Sequence, residues 1–126
     1  MQVQELMRQP VSSTVLSETV GTVRDLMHQK QIGAVPIVEL IGERILLRGI
    51  VTSTDLLGVY DDTVPIAQVM SRKVYTVAPE QQLAGAARLM LQHDVHHLIV
   101  VEQERIVGIL SALDFVRLFA EGAKQA

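Results

Sequence analysis

A hydroxyl and a carboxylate stand three residues apart at two places in this chain, Thr52 with Asp55 and Ser111 with Asp114. This spacing is typical of a capping box, in which the hydroxyl accepts a backbone N–H of the first helical turn. The acid then lies where the positive end of the helix dipole favours negative charge. Each pair is therefore predicted to cap a helix, which stabilises a fold by about 0.5 to 2 kcal/mol.

Three histidines, His93, His96 and His97, are the candidate metal ligands of the chain. Neighbouring side chains at the start of a strand point to opposite faces, so at most one of His96 and His97 can share a site with His93. We therefore expect no metal site. Contact of His96 or His97 with a phosphate, and an ordinary surface or strand position, both stay open.

Catalytic motifs are missing from the sequence. Ser, His and Asp are all present, but there is no nucleophile elbow, no Gly-rich phosphate loop and no carboxylate pair spaced for acid–base work. We expect a protein that is not an enzyme, so that any chemistry belongs to a partner that it regulates.

Composition excludes further classes of function. The net charge is −3 without a Lys/Arg cluster and aromatic residues make up only 3%, which argues against binding nucleic acid. The absence of cysteine excludes disulfides and thiolate chemistry and fits a reducing compartment. No stretch approaches the roughly 18 apolar residues of a membrane span, and the first residues, MQVQELMRQP, lack the basic start and apolar run of a signal peptide. We expect a cytoplasmic protein that binds no membrane.

The phrase that holds the two capping boxes is part of an internal repeat. GIVTSTDLL at 49–57 matches GILSALDFV at 108–116 with a shift of 59 residues, and over positions 6–39 the shift is 63, which aligns Met7 with Met70. The first half thus has four extra residues near LIGER, 40–44, where we expect a hairpin loop. The expected domains are 1–63 and 64–126, joined through the turn-rich segment 58–65.

Each repeat is predicted to form a short strand, a helix, two strands and a second helix. Apolar residues recur at helical spacing from Val20 and again from Leu83, whereas 34–38, 45–51, 98–101 and 105–110 are apolar runs of strand length. Pro36 is expected at a sheet edge, since proline cannot donate to a ladder; Ile99 replaces it in the second repeat. The predicted fold class is α+β, a pseudo-symmetric pair of β-α-β-β-α units packed through their sheets, each with two flanking helices.

In this ordered and repeated set of motifs the chain resembles a tandem pair of CBS domains, the module named after cystathionine β-synthase. The pieces that carry the resemblance are LM, QIGAVPIVE and GIVTSTDLL in the first half, and VMSRKVYTV, LM, VHHLIVVE and GILSALDFV in the second. In similar pairs the Asp of the motif binds the ribose hydroxyls of an adenosine nucleotide, the Ser or Thr lies near the phosphates, and each cleft takes residues from both repeats.

The resemblance therefore implies two clefts. The first would combine Thr52, Thr54 and Asp55 with Lys73, Val74, Tyr75, His96, His97 and Leu98. The second would combine Ser111 and Asp114 with Pro10, Val11, Ser12, Ile32, Gly33, Ala34 and Val35. Only the first set has basic side chains for a phosphate, so it is favoured for AMP, ADP or ATP; in the second a phosphate would depend on backbone N–H groups and Ser hydroxyls. The second is expected to be weak, empty or selective for a less charged ligand such as S-adenosylmethionine.

Two functions follow from these interpretations. The first is a regulatory module that senses an adenosine nucleotide, needs no obligatory cofactor and acts on a protein partner. The second is a ligand-independent oligomerisation or docking module. Both imply a homodimer, because similar pairs form disc-shaped dimers through their helices. The residues expected to mediate it are Val20, Val23, Met27, Leu83, Ala87 and Met90.

Overall fold

A computed structural model describes residues 1–125, which form two compact units. The central unit is Ser12–Val74, and the terminal unit combines Met1–Val11 with the chain from Tyr75 onward. Residues 1–11 thus pack with the second half, whereas the expected division at residue 63 assigns them to the first.

The central unit contains a three-stranded sheet and one α-helix. Its elements are β1 (Thr14–Val15), α1 (Val20–Lys30), β2 (Ala34–Ile41) and β3 (Arg44–Thr52), with 3-10 turns at Thr54–Leu56 and Ile66–Gln68. The strand order is β1-β2-β3, with β1 parallel and β3 antiparallel to β2. Thr19 begins α1, since its Oγ1 accepts the N–H of Thr22 at 3.3 Å. The strands predicted at 34–38 and 45–51 are confirmed.

The terminal unit repeats this arrangement and adds a long helix. It contains a 3-10 turn (Val3–Glu5), β4 (Thr76–Val77), α2 (Leu83–His93), β5 (His97–Glu102), β6 (Arg105–Ser111) and α3 (Ala112–Gln125). The strand order is β4-β5-β6, again one parallel and one antiparallel pairing. The α+β class is confirmed. No helix within residues 1–125 has both the length and the apolar character needed to cross a membrane.

The second helix expected in the first repeat is wrong. Thr54–Leu56 is a single 3-10 turn, while its counterpart α3 runs from Ala112 to Gln125. Gly58 follows that turn with a φ of 84°, which a helix cannot continue through. Asp61 then builds a turn by accepting the hydroxyl and the N–H of Thr63, and these hydrogen bonds lower the pKa of the Asp61 carboxyl.

Pro36 lies in β2, the central strand, and not in an edge strand as expected. Its position nevertheless requires no N–H. Pro36 stands opposite Ile50, whose N–H and C=O both bond to Ser71, away from β2. The Pro36–Ile50 pair is therefore of the non-hydrogen-bonded kind, and β1 pairs only with Ile37 and Val38.

The four extra residues of the first repeat lengthen the β2–β3 hairpin, as predicted. β2 ends at Ile41 and β3 begins at Arg44, so the insertion falls at the hairpin tip. Leu40 and Ile45 near this tip are exposed. The longer hairpin therefore adds apolar surface that is absent from the second repeat.

The segments before the two sheets are exchanged between the repeats. Met7 packs on Gly108 in the terminal unit and Met70 packs on Gly49 in the central unit. A Cβ at Gly49 would lie 2.6 Å from Met70 Sδ and 2.7 Å from the backbone oxygen of Ser71. Both glycines of the repeated phrase are thus explained by the close approach of the other repeat's methionine.

The side chains expected to pair in a helix-mediated dimer are mostly buried within their own units. Val20, Val23 and Met27 pack on the central sheet, and Leu83 and Met90 belong to the core of the terminal unit. Ala87 alone of the six is partly exposed. Each amphipathic helix turns its apolar stripe toward its own sheet, and pairing of these helices in a dimer stays a prediction.

Candidate functional site

The first repeated motif forms a complete capping box at the end of β3. Asp55 Oδ2 accepts the backbone N–H of Thr52 at 2.8 Å, and the backbone N–H of Asp55 donates to Thr52 Oγ1 at 3.3 Å. Asp55 is half-buried, and within residues 1–125 its Oδ1 has no hydrogen-bond partner. The motif therefore holds a carboxylate in a fixed orientation and leaves one of its oxygens available.

The second motif holds its carboxylate differently. Asp114 Oδ2 accepts the backbone N–H of Ser111 at 2.8 Å, as in the first motif. Its Oδ1 accepts Arg8 Nε at 2.9 Å and Arg117 Nη1 at 3.3 Å. The Asp114 side chain is only 5% exposed, while the two arginine side chains are about half exposed. Both oxygens of Asp114 are thus engaged by the protein itself.

Sequence reasoning missed Arg8 and Arg117, because it found no basic side chain among the residues expected around Asp114. Arg117 could have been found, since it lies one helical turn after Asp114 on α3. Arg8 could not, because it lies 106 residues from Asp114 in sequence. The exchange of Met1–Val11 into the terminal unit brings Arg8 to the motif.

The structure divides the residues expected in each cleft between the two units. For the first cleft, Thr52, Thr54, Asp55, Lys73 and Val74 belong to the central unit, and Tyr75, His96, His97 and Leu98 to the terminal unit. For the second, Ser12, Ile32, Gly33, Ala34 and Val35 belong to the central unit, and Pro10, Val11, Ser111 and Asp114 to the terminal unit. The composite clefts stay a prediction.

Two of these expected contacts are restricted by burial. The side chains of Val35 and Leu98 are 0% exposed and pack into the cores of their own units. Only the backbone at these positions is therefore available to a ligand. His96 and Lys73, by contrast, are exposed.

The histidines form no metal centre in the part of the chain that the structure describes. No three His, Cys, Asp or Glu residues within 1–125 are grouped so that they could hold a metal ion. The ring of His93 stacks on Tyr75, with centroids 4.0 Å apart and an angle of 15° between the planes. This stacking gives His93 a packing role at the end of α2.

The central unit has a cavity of about 280 Å³ between α1 and the turn at Thr54–Leu56. Its lining comprises Arg24, Met27, His28, Ile32, Ser53, Leu56 and Leu57. Arg24 also pairs with Asp62 and donates to the backbone oxygen of Val59 at 2.6 Å. The arginine therefore fastens the segment after the turn to α1.

The chain matches one family model twice. The model of the CBS domain matches residues 3–62 and again 66–121. The CBS domain-containing protein YhcV of Bacillus subtilis is 30% identical over 117 residues, which cover 89% of this chain and 81% of the relative. Inosine-5'-monophosphate dehydrogenase of Rhodopirellula baltica is 30% identical over 100 residues, covering 78% of this chain but only 18% of that enzyme.

Solved structures of other CBS-domain proteins have the same fold. The CBS domain pair of protein MJ0100, in complex with 5'-methylthioadenosine and S-adenosyl-L-methionine, is 25% identical with a TM-score of 0.81, covering 94% of this chain and 99% of that one. A hexameric CBS-CP12 protein from bloom-forming cyanobacteria is 27% identical with a TM-score of 0.82, covering 92% of this chain and 69% of that one.

Proposed function

This chain belongs to the CBS domain family, and from that membership we propose that it is a regulatory module that binds an adenosyl ligand through Asp55. In this proposal the ligand is AMP, ADP, ATP or S-adenosylmethionine, and binding is transmitted through a homodimer or a regulated protein partner. The module itself performs no catalysis. The observation that carries the proposal is that Asp55 is held by its Oδ2 while its Oδ1 has no hydrogen-bond partner among the described residues 1–125.

The geometry of the first motif suits a ribose. A carboxylate accepts from both hydroxyls of a cis-diol, and Asp55 has one oxygen anchored on Thr52 and one free within residues 1–125. The two ligands of the MJ0100 pair both contain an adenosine ribose. A phosphate would lie near the hydroxyls of Thr52 and Thr54, and the exposed Lys73 is a candidate counter-charge.

Regulation by such a ligand requires unequal affinity for two arrangements of the protein. A ligand that binds both arrangements equally shifts neither, however tightly it binds. We therefore expect the partner-binding or self-associating form of the chain to differ from the other form in its affinity for the adenosyl ligand.

Thermal unfolding against a ligand panel tests the proposal. The panel consists of AMP, ADP, ATP, S-adenosylmethionine, 5'-methylthioadenosine, NADH and GTP, each with and without magnesium. A ligand at about 100 times its Kd stabilises the folded chain by roughly 2.7 kcal/mol, which raises the midpoint by several degrees. No shift with any adenosyl compound at millimolar concentration would contradict the proposal.

Asp55→Ala is expected to weaken adenosyl binding about 10- to 100-fold, because hydrogen bonds to a charged group contribute about 1.5 to 3 kcal/mol. Isothermal titration with the ligand found in the panel measures the effect. Thr19→Ala is the matched control, since it removes a helix cap with the same 3.3 Å geometry in the same unit but no carboxylate. An equal loss of affinity in both variants would show that Asp55 acts only as a cap.

Ligand-independent self-association is the second candidate function, and one surface favours it. Leu113, Val116 and Phe119 of α3 are between 58% and 80% exposed, although they are apolar. Leu91 of α2 in the same unit is 82% exposed. Exposed apolar side chains clustered on one unit are typical of interaction surfaces, and the related CBS-CP12 protein is a hexamer.

Val116→Asp combined with Phe119→Asp is expected to convert a dimer to a monomer, because burying the new carboxylates at an interface has no compensating partner. Sedimentation velocity measures the change. Leu40→Asp, also at an exposed leucine but on the β2–β3 hairpin, is the control and should leave the dimer intact. A dimer that survives the double substitution would place the interface elsewhere.

A further inference from the structure

We propose that the guanidinium of Arg8 occupies the Asp114 carboxylate of the second motif. An adenosyl diol then binds at Asp55 and is excluded from Asp114. The inference rests on the proposed function and adds which of the two motifs is used and what decides it. Arg8 is thereby a specificity-determining residue outside the repeated phrase.

The contacts of Asp114 fill both acceptor positions of its Oδ1, whereas the Oδ1 of Asp55 has no partner within residues 1–125. Oδ2 is used by the N–H of Ser111 and Oδ1 by Arg8 and Arg117. A diol would have to break the 2.9 Å bond from Arg8 Nε, a charge-assisted bond to a carboxylate that is only 5% exposed. Neutral hydroxyls bind a carboxylate more weakly than a guanidinium does, so they lose this competition.

The first motif lacks both cations at the equivalent positions. The shift of 63 residues aligns Arg8 with Ser71, and the shift of 59 aligns Arg117 with Gly58. The backbone confirms the first equivalence, because Arg8 bridges to Ile109 in the terminal unit as Ser71 bridges to Ile50 in the central unit. Both motifs thus hold the carboxylate through Oδ2 on a backbone N–H, and of the two carboxylates only that of Asp114 has arginines at Oδ1.

The alternative role for Arg8 is to bind the phosphate of a ligand. That role requires its guanidinium to face an anion, whereas its Nε is already directed at a carboxylate within its own unit. The two roles predict opposite results when Arg8 is neutralised. If Arg8 blocks Asp114, its neutralisation opens a second binding site. If Arg8 binds a phosphate, its neutralisation weakens ligand binding at an existing site.

Equilibrium dialysis with S-adenosylmethionine and with ATP tests the inference by counting bound ligands per chain. At a ligand concentration that just saturates the unmodified protein, we expect one for that protein, well under one for Asp55→Ala, two for Arg8→Gln, and about one for Arg8→Gln combined with Asp55→Ala. Arg48→Gln is the matched control and should bind one, since Arg48 Nε contacts Glu39 at a comparable 2.8 Å and contacts neither Asp55 nor Asp114.

The reciprocal variant tests the same inference without weakening the terminal unit. Ser71→Arg places a guanidinium at the position equivalent to Arg8, and we expect it to weaken binding at Asp55 at least tenfold. Ser71→Gln, a long neutral side chain, should retain binding. This variant keeps the inference testable if Arg8→Gln does not fold.

Four outcomes separate the inference from the proposed function. One ligand per chain in both the unmodified protein and Arg8→Gln, or full binding by Ser71→Arg, overturns the inference and leaves the proposed function intact. Weaker binding by Arg8→Gln assigns Arg8 to a phosphate and also overturns it. If Arg8→Gln binds a ligand and the unmodified protein binds none, the role of Arg8 is upheld but Asp55 is not the binding site of the unmodified protein. No binding by any variant contradicts both.

Discussion

Asp114→Ala is expected to destabilise the chain by about 3 kcal/mol, whereas Asp55→Ala should cost about 1 kcal/mol. Both variants lose the carboxylate bond to a backbone N–H, that of Thr52 or Ser111, but Asp114→Ala also removes the buried acceptor of two arginines. The corresponding fall in the thermal midpoint is roughly 10 °C for Asp114→Ala in a chain of this size. Urea unfolding of both variants at neutral pH and without ligand measures the difference.

A double-mutant cycle shows whether Arg8 accounts for the larger cost. Coupling between Arg8→Gln and Asp114→Ala is expected at about 1 kcal/mol, since solvent screens the half-exposed guanidinium. Coupling between Arg48→Gln and Glu39→Ala should be smaller, because both of those side chains are exposed. Equal small losses from Asp114→Ala and Asp55→Ala would mean that the arginines contribute nothing beyond the cap.

Gly49→Ala is expected to destabilise the chain by about 2 to 3 kcal/mol. The new Cβ would lie 2.6 Å from Met70 Sδ and 2.7 Å from the Ser71 oxygen. The methionine can turn aside, but the Ser71 oxygen is held by the N–H of Ile50 at 2.9 Å. The clash with the new Cβ can therefore be relieved only if the segment of Met70 and Ser71 moves away from β3. Differential scanning calorimetry measures the loss.

Two further glycines provide controls for this prediction. Gly85→Ala should stabilise by about 0.5 to 1 kcal/mol, because Gly85 lies within α2 and its nearest neighbour would be 3.8 Å away. The three atoms nearest to a Cβ at Gly108 all belong to the Met7 side chain, so Met7→Ala should relieve much of the cost of Gly108→Ala. If Gly49→Ala and Gly85→Ala have the same effect, the close approach at Gly49 has no energetic consequence.

The sequence predicted the strands, the first helix of each repeat, the hairpin insertion and the capping interactions of Asp55 and Asp114. These features depend on local patterns, namely apolar periodicity and the three-residue spacing of hydroxyl and acid. The second helix of the first repeat was predicted by analogy between the repeats. It fails because Gly58 stands where the second repeat has Arg117.

The difference between the two motifs was beyond sequence reasoning for another reason. The sequence favoured Asp55 over Asp114 as a nucleotide site because Lys73 and the histidines were expected in the same cleft as Asp55. These residues lie close in the chain to the strands expected to form that cleft. The contact that distinguishes the two carboxylates is made by Arg8, which reaches Asp114 only because Met1–Val11 packs in the terminal unit. Contacts between distant segments depend on topology, which periodicity does not encode.

The exchange of Met1–Val11 also sets an order for folding during synthesis. The central unit is one continuous stretch, Ser12–Val74, and can close once that stretch has left the ribosome. Met7 and Arg8 are translated before the central unit, whereas their partners Gly108 and Asp114 are translated after it. The nascent chain therefore carries Met1–Val11 without these partners until β6 and the start of α3 have been made.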